Sequence, residues 1–306
     1  MSRSRGTAVA TALLLAALAA AGCGLGPGSG VGDVKLTVTR EFGSVPVLED
    51  NVEANQSDTV MRVLEGSADI STRYGGGYVQ SIEGIEGAQR GGHAFDWFFY
   101  VDGVESPIGA ADYSLKADER IWWDYRDWSA TNHVPAVVGS WPAPFAHGYE
   151  GKSHPVVVEC EGGGAACPLA QGALEGAGAA IASGSPAGAI RVLVGPWARL
   201  RSDPAAALIE AGPEESGVFA DFERRDGEFA LTGLDQAGRA SRDFGTDAGL
   251  VAATRRYEAP PVWVVTGGTP AAVRAAADLL DPAKLRDHYA VATEAGKETP
   301  LPVGVP

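Results

Sequence analysis

Basic residues are scarce in this sequence. The 24 Lys and Arg face 39 Asp and Glu, a formal net charge of −15 over 306 residues. Nucleic acid phosphates and anionic lipid headgroups both require clustered cations, so the balance argues against either as a partner. Histidines are few and scattered: His93, His133, His147, His154 and His288 show no ligand spacing. No metal site is expected, and His147 and His154 read as solvated loop residues. The common catalytic signatures are missing as well. There is no G-x-S-x-G elbow, no Walker loop, no G-x-G-x-x-G after a strand and no H-E-x-x-H. An enzyme is therefore not the first expectation. Long apolar runs are also lacking, apart from Thr7–Ala21, which is short for a membrane span.

That run follows the basic stretch Ser2-Arg3-Ser4-Arg5 and ends in Ala20-Ala21-Gly22-Cys23. The order of a charged start, an apolar centre and small residues is that of a signal peptide. Its end resembles a bacterial lipobox, with Ala20 where Leu is usual. On that reading residues 1–22 are a lipoprotein signal peptide and Cys23 takes the lipid. The chain is then lipid-anchored in the cell membrane and faces the extracytoplasmic side. Plain secretion with a spare cysteine is the alternative. Cys160 and Cys167 remain, an even number in an oxidising compartment, and are expected to form a disulfide. Two reduced thiols are the alternative. Their spacing excludes a CxxC redox pair.

Residues 23–33 are a Gly-rich tether with a reach of roughly 15–20 Å. Residues 34–146 read as a small, mostly β domain. Val34, Leu36 and Val38 alternate with polar residues, the pattern of a half-buried strand, and Val45–Val52 is a hairpin partner. Asp58 is placed to cap a short helix over Thr59–Leu64. Strands are expected at Tyr78–Ile82, Asp96–Val101 and Ile121–Trp128, with a turn at Asp102-Gly103. Residues 134–145 read as a proline-bearing loop that wraps back over the domain. Residues 147–155 are the expected linker. From 156 to 306 the character is α/β: strands at Val156–Glu159, Arg191–Val194, Val218–Phe222, Phe229–Leu231 and Val262–Thr266, and helices at Leu169–Ile181, Pro204–Ala211 and Pro270–Leu280.

The aromatic residues carry the most information. Alternation puts Trp97, Phe99 and Val101 on one face of their strand and Phe98 and Tyr100 on the other. In the next strand Ile121, Trp123 and Tyr125 form the natural core face. Trp122, Asp124, Arg126 and Trp128 form the second, which reads as solvated but sticky. Tyr74 and Tyr78 flank the run Gly75-Gly76-Gly77. One small core uses one face of a sheet. The surplus rings therefore line a ligand surface, an inter-domain contact or a partner site. The candidate ligand-binding residues are Tyr74, Tyr78, Trp97, Tyr100, Trp122 and Trp128. A weaker candidate is the strand–helix turn Thr266-Gly267-Gly268-Thr269-Pro270, where Thr269 fits a helix N-cap and nearby glycines leave room for an anion.

The stretch Gly77-Tyr78-Val79-Gln80-Ser81-Ile82-Glu83-Gly84, then Trp97-Phe98-Phe99-Tyr100-Val101-Asp102-Gly103, then Gly109, Tyr113, Leu115 and Ile121-Trp122-Trp123-Asp124-Tyr125 resembles the C-terminal β domain of transcobalamin and intrinsic factor. It is more similar to bacterial relatives of that domain, catalogued as a domain of unknown function (the 4430 family). The resemblance covers residues 34–128. It implies an α+β fold whose N-terminal domain is β-grasp-like, followed here by an α/β sandwich domain with smaller helices. In the vitamin B12 carriers the corrin is gripped between this domain and a large helical domain, which this chain lacks.

The first expectation is a membrane-tethered, non-enzymatic binding lipoprotein that captures a corrinoid or other small ligand for a membrane transporter. No resident cofactor is expected beyond such a ligand. The alternatives are an envelope protein–protein interaction module and an extracytoplasmic enzyme with its site at Gly267-Gly268-Thr269.

Overall fold

A computed structural model describes residues 30–55, 57–162 and 164–305. The expected signal peptide, Cys23 and the tether as far as residue 29 lie outside the described residues. The architecture is mixed α+β and mostly sheet.

Strand β1 (Gly30–Arg40) begins inside the expected tether and pairs antiparallel with β2 (Val45–Asn55). Val34, Leu36 and Val38 are buried on one face as alternation requires. Thr37 and Thr39 on the other face are buried too, so the strand is covered on both sides. Helix α1 (Val60–Ser67) lays Val60, Met61, Val63 and Leu64 on the core. Its cap is Thr59, whose hydroxyl accepts from Arg62 N at 3.3 Å. Asp58 sits one residue too early for that role. It accepts instead from Asn55 N at 2.8 Å and closes the preceding turn.

β3 (Ile70–Arg73), β4 (Tyr78–Ile82) and β5 (Ile85–Glu86) form a small antiparallel sheet. β6 (Ala88–Arg90), β7 (His93–Val101), β8 (Val104–Glu105) and β9 (Arg120–Asp127) complete the larger one, in the order β2-β1-β9-β7-β6 with β8 on β7. β1 and β9 run parallel. Asp102 and Gly103 both take positive φ, 49° and 80°, as a tight hairpin turn requires.

Residues 134–145 wrap back as expected, but as core. Val134, Val137, Val138, Trp141 and Phe145 are buried, and α2 (Ala143–Ala146) forms within the segment. The expected linker is fastened as well: Tyr149 is buried and its ring stacks on His154 at 4.0 Å. His154 is thus half-buried rather than solvated.

In the C-terminal half come β10 (Val156–Cys160), α3 (Ala166–Gly176), β11 (Ile190–Pro196), α4 (Trp197–Leu200) and α5 (Pro213–Ser216). Then follow β12 (Ala220–Arg225), β13 (Glu228–Leu234), β14 (Ala240–Gly245), β15 (Gly249–Thr254) and β16 (Val262–Gly267). The chain ends with α6 (Pro270–Ala277), α7 (Pro282–Leu285), β17 (Ala290–Glu294) and β18 (Lys297–Leu301). A six-stranded sheet runs β10-β11-β16-β15-β17-β18, and β12-β13-β14 form a separate antiparallel meander. The first three strands of the large sheet are parallel.

The expected helix at Pro204–Ala211 is a 3-10 turn over Ala206–Ala211. The expected helix at Leu169–Ile181 starts earlier and ends at Gly176, just before Gly178, which takes φ 83°. The Cys160–Cys167 disulfide joins the end of β10 to the start of α3, with Cα atoms 5.9 Å apart. Among the described residues no helix is long and apolar enough to cross a membrane.

Among the described residues the interior forms three clusters. One lies between α1 and the first face of the N-terminal sheet. Another lies between α3, α6 and the six-stranded sheet, and it takes in Trp141, Phe145 and Tyr149. The third is shared by the two halves of the chain. Phe42, Tyr100 and Trp122 from the first half meet Phe219 and Tyr289 from the second. Phe42 contacts Phe219 and Tyr289 edge-on, each with ring centroids 5.1 Å apart.

Candidate functional site

The alternation read from the sequence holds in the register. Trp97, Phe99 and Val101 pair with Tyr125, Trp123 and Ile121, and Tyr100 pairs with Trp122 on the opposite face. The covering of that opposite face differs from the expectation. Trp122, Asp124 and Arg126 are wholly buried against the C-terminal half rather than solvated. This corrects the place of Tyr100 and Trp122, both 0% exposed, as ligand-contacting residues. Trp97 is likewise buried, on the α1 side, with its indole N–H donating to Ile85 O at 2.9 Å.

Hydrogen bonds satisfy Trp122, Asp124 and the tyrosine hydroxyls at this junction, while Arg126 Nε and Nη2 have no partner among the described residues. Trp122 Nε1 donates to Thr39 Oγ1 at 2.8 Å, and Thr39 Oγ1 donates to Asp124 Oδ1 at 2.7 Å. Gly43 N donates to the same oxygen at 3.1 Å. Tyr289 Oη donates to Asp124 Oδ2 at 3.0 Å, and Tyr100 Oη donates to Tyr289 Oη at 3.3 Å. Arg126 lies 3.8 Å over the Phe98 ring and donates to Thr131 O at 2.7 Å. Burial pushes the Asp124 carboxyl up to about 6, against the downward pull of Thr39, Gly43, Tyr289 and Arg126. Tyr289 is driven well above its ordinary value, again first by burial. The cluster joins the two halves of the chain in one shared core.

The other three candidates reach the surface together. A groove of about 210 Å³ is lined by Tyr78, Trp128, Phe95, Asp96, Arg73 and Gln80. It lies where the small β3-β4-β5 sheet meets β6 and β7. Tyr78 is 38% exposed and Tyr74 86% exposed, their ring centroids 6.2 Å apart in an edge-on pair. Tyr74 is held at φ 54°, an uncommon backbone state for a side chain of this size.

The polar groups of the groove are arranged around Asp96. Tyr78 Oη donates to Asp96 Oδ2, and Asp96 Oδ1 accepts from Trp97 N at 2.9 Å. Burial first, and the Asp96 carboxylate second, hold the Tyr78 phenol far above its ordinary range, so it stays a neutral donor. Arg73 Nε donates to Gln80 Oε1 at 2.7 Å, which fixes the guanidinium at the rim. Arg73 and Tyr78 are facing partners in the β3–β4 hairpin. The sequence reading missed Arg73, Gln80, Phe95 and Asp96. The hairpin register is the signal that places Arg73 opposite Tyr78. Phe95 shows only once β7 is seen to start at His93, three residues before the expected strand that opens at Asp96. The groove offers aromatic faces, a carboxylate, an amide and a guanidinium. That set can stack on a flat ligand and hydrogen-bond its edge.

The strand–helix turn after β16 is filled by the protein itself. Thr269 caps α6 by accepting from Ala272 N at 3.2 Å. A Cβ added at Gly268 would stand 2.0 Å from Phe229 O and 2.5 Å from Thr246 O. The glycines there allow backbone to approach backbone, and leave no room for an anion. Among the described residues no group of three His, Cys, Asp or Glu side chains is placed to hold a metal ion.

Residues 57–127 match the family model described as a domain of unknown function (DUF4430). The match runs from the turn before α1 to the end of β9. It bears out the resemblance to that family read from the glycines and aromatics, and takes in Tyr74, Tyr78, Trp97, Tyr100 and Trp122; Trp128 falls one residue beyond it. No curated protein matches the chain.

Proposed function

We propose that this chain is a non-enzymatic binding lipoprotein, held on the extracytoplasmic side of the cell membrane through Cys23, that captures a small ligand for a membrane transporter. The observation that carries this reading is the groove at Tyr78 and Trp128, with the exposed Tyr74 ring beside it. Exposed rings next to ordered polar groups are the usual composition of a ligand surface. The transcobalamin-like, β-grasp-like reading of the N-terminal half is supported by a short helix packed on a mixed sheet.

The size of the groove favours one ligand class over another. Sites that enclose a drug-sized molecule run to roughly 300–1,000 Å³. At about 210 Å³ the groove is below that range. It suits a small, flat, polar molecule. A corrinoid would rest its edge there and stay mostly outside.

The test is calorimetric titration of the full chain in detergent with cobalamin, with cobinamide and with a panel of small aromatic and sugar-like metabolites. Saturable one-to-one heat with any of them, lost in the Tyr78→Ala, Trp128→Ala double variant, is the expected result. Heat from neither corrinoid removes the corrinoid reading. Silence across the whole panel overturns the binding reading in favour of an envelope interaction module, which a pull-down would then address.

A further inference from the structure

The polar groups of the groove at Tyr78 and Trp128 are fixed in place and only partly used. Tyr78 and Gln80 alternate with the buried Val79 along β4, so their side chains leave the same face of the strand. Arg73 faces Tyr78 across the hairpin. Because Arg73 Nε donates to Gln80 Oε1, the Gln80 amide nitrogen is turned away from that bond. This nitrogen and the terminal nitrogens of Arg73 are donors without a partner among the described residues.

Asp96 brings the acceptors, from β7. Oδ1 accepts from Trp97 N and Oδ2 from Tyr78 Oη, and each carboxylate oxygen can accept a second hydrogen bond. Tyr78 Oη, having given its proton to Asp96, can accept as well. Gly87 also lines the groove. A Cβ added there would stand 3.0 Å from Asp96 Oδ1 and 3.4 Å from its Cγ, so the missing side chain leaves the carboxylate uncovered. Gly87 N donates to Gln80 O at 3.2 Å, which holds the backbone at that place.

Two further observations narrow the occupant. Arg73 and Asp96 put one charge of each sign on the lining, so the groove favours a neutral molecule. The rings do not form a parallel slot. Tyr74 and Tyr78 meet at 70°, and Phe95 is occupied by the fold, with Arg90 4.7 Å over its ring and Tyr125 stacked on it at 6.0 Å. A flat aromatic plate held between two ring faces does not fit that arrangement, whereas one apolar face laid on a single ring does.

We infer that the groove takes a neutral pyranose sugar, as a monosaccharide or as the end unit of a short glycan, an assignment that rests on reading the groove as the ligand surface. A pyranose offers an apolar C–H face to Tyr78 or Trp128. Its rim carries hydroxyls that each donate and accept. Adjacent hydroxyls can accept from Gln80 and Arg73 while donating to Asp96. An aromatic molecule without such a rim would cover these groups and leave them unpaired, at a cost in affinity. The volume of about 210 Å³ suits one sugar ring better than an extended chain.

The experiment is calorimetric titration of the full chain, in a detergent without a sugar headgroup, with methyl glucoside, methyl mannoside, N-acetylglucosamine and maltose. Glucuronate, adenine and indole are titrated beside them. Saturable heat with at least one neutral saccharide is expected. Gln80→Ala and Gly87→Ala, neither of which removes a ring, should each weaken that binding about fivefold or more. Tyr257→Ala, at an exposed ring outside the groove, should leave it unchanged. Unaltered affinity in both groove variants overturns the site, and tighter binding of glucuronate than of any neutral sugar overturns the neutral assignment. Heat from adenine or indole with silence from every saccharide overturns the sugar class and leaves the ligand surface standing. The ligand surface falls as well only if the heterocycles and the corrinoids are also silent.

Discussion

Asp124 is a carboxylate placed where charge is expensive, and its substitution should reveal how the junction responds to pH. It is fully buried between the halves and titrates near pH 6 in the folded chain, against an ordinary value of 3.8. Because the folded value is raised, the folded state binds the proton more tightly than the unfolded chain does. The stability this group contributes is therefore complete below about pH 3.8 and is lost as pH rises through about 6. The shift corresponds to about 3 kcal/mol in all, of which about 2 kcal/mol is regained between pH 8 and pH 4.5.

Asp124→Asn keeps the oxygen that accepts from Thr39 and Gly43. It turns the other position into a donor toward Tyr289, whose hydroxyl can accept in exchange. The variant thus removes the titration while preserving shape. Urea unfolding of wild type and variant across pH 4.5–8 isolates the effect, because every other titrating group cancels in the difference. Wild type should gain about 2 kcal/mol relative to the variant on going from pH 8 to pH 4.5. Parallel curves for the two proteins would refute the reasoning and show that the carboxylate is ionised throughout at no cost.

Two further substitutions probe stability. Trp122→Ala should cost about 3–5 kcal/mol by urea unfolding, because the ring is wholly enclosed. Tyr74→Ala should change stability by no more than about 0.5 kcal/mol, because its ring faces solvent; a small loss at Trp122 would contradict the shared core. The paired change Cys160→Ser, Cys167→Ser opens a loop closed over a sequence separation of 7, worth about 2–3 kcal/mol on the chain-entropy model. An unaltered urea midpoint would show that the loop is held by other contacts.

Most strands of the N-terminal half were legible because alternation and tight turns are local signals. β4 falls at Tyr78–Ile82, β1 and β7 extend the expected strands by a few residues, and β9 lies one residue earlier than expected. The strands missed in the N-terminal half, β3, β5, β6 and β8, are two to four residues long, too short for alternation to show; those missed in the C-terminal half are longer. β15 and β17 are rich in alanine, which has little strand preference, and β18 is a polar edge strand. They exist because the six-stranded sheet buries them or pairs them, and that context is tertiary. The 3-10 turn at Ala206–Ala211 read as a helix for the same reason: alanine favours helix locally, and packing decided otherwise.

The candidate site divides along the same line. Tyr74, Tyr78 and Trp128 were marked by composition alone, and they surround or line the groove. Alternation also assigned Tyr100 and Trp122 correctly to one face. What covers that face depends on Tyr289, which is 189 residues from Tyr100 and 165 from Asp124. Periodicity along a strand tells which side chains share a side of the sheet, because successive residues must point oppositely. It carries no information about what arrives on that side from elsewhere in the chain. Here the C-terminal half closed over one set of aromatic rings and left the other in water, and only the folded arrangement of the two halves separates a shared core from a binding surface.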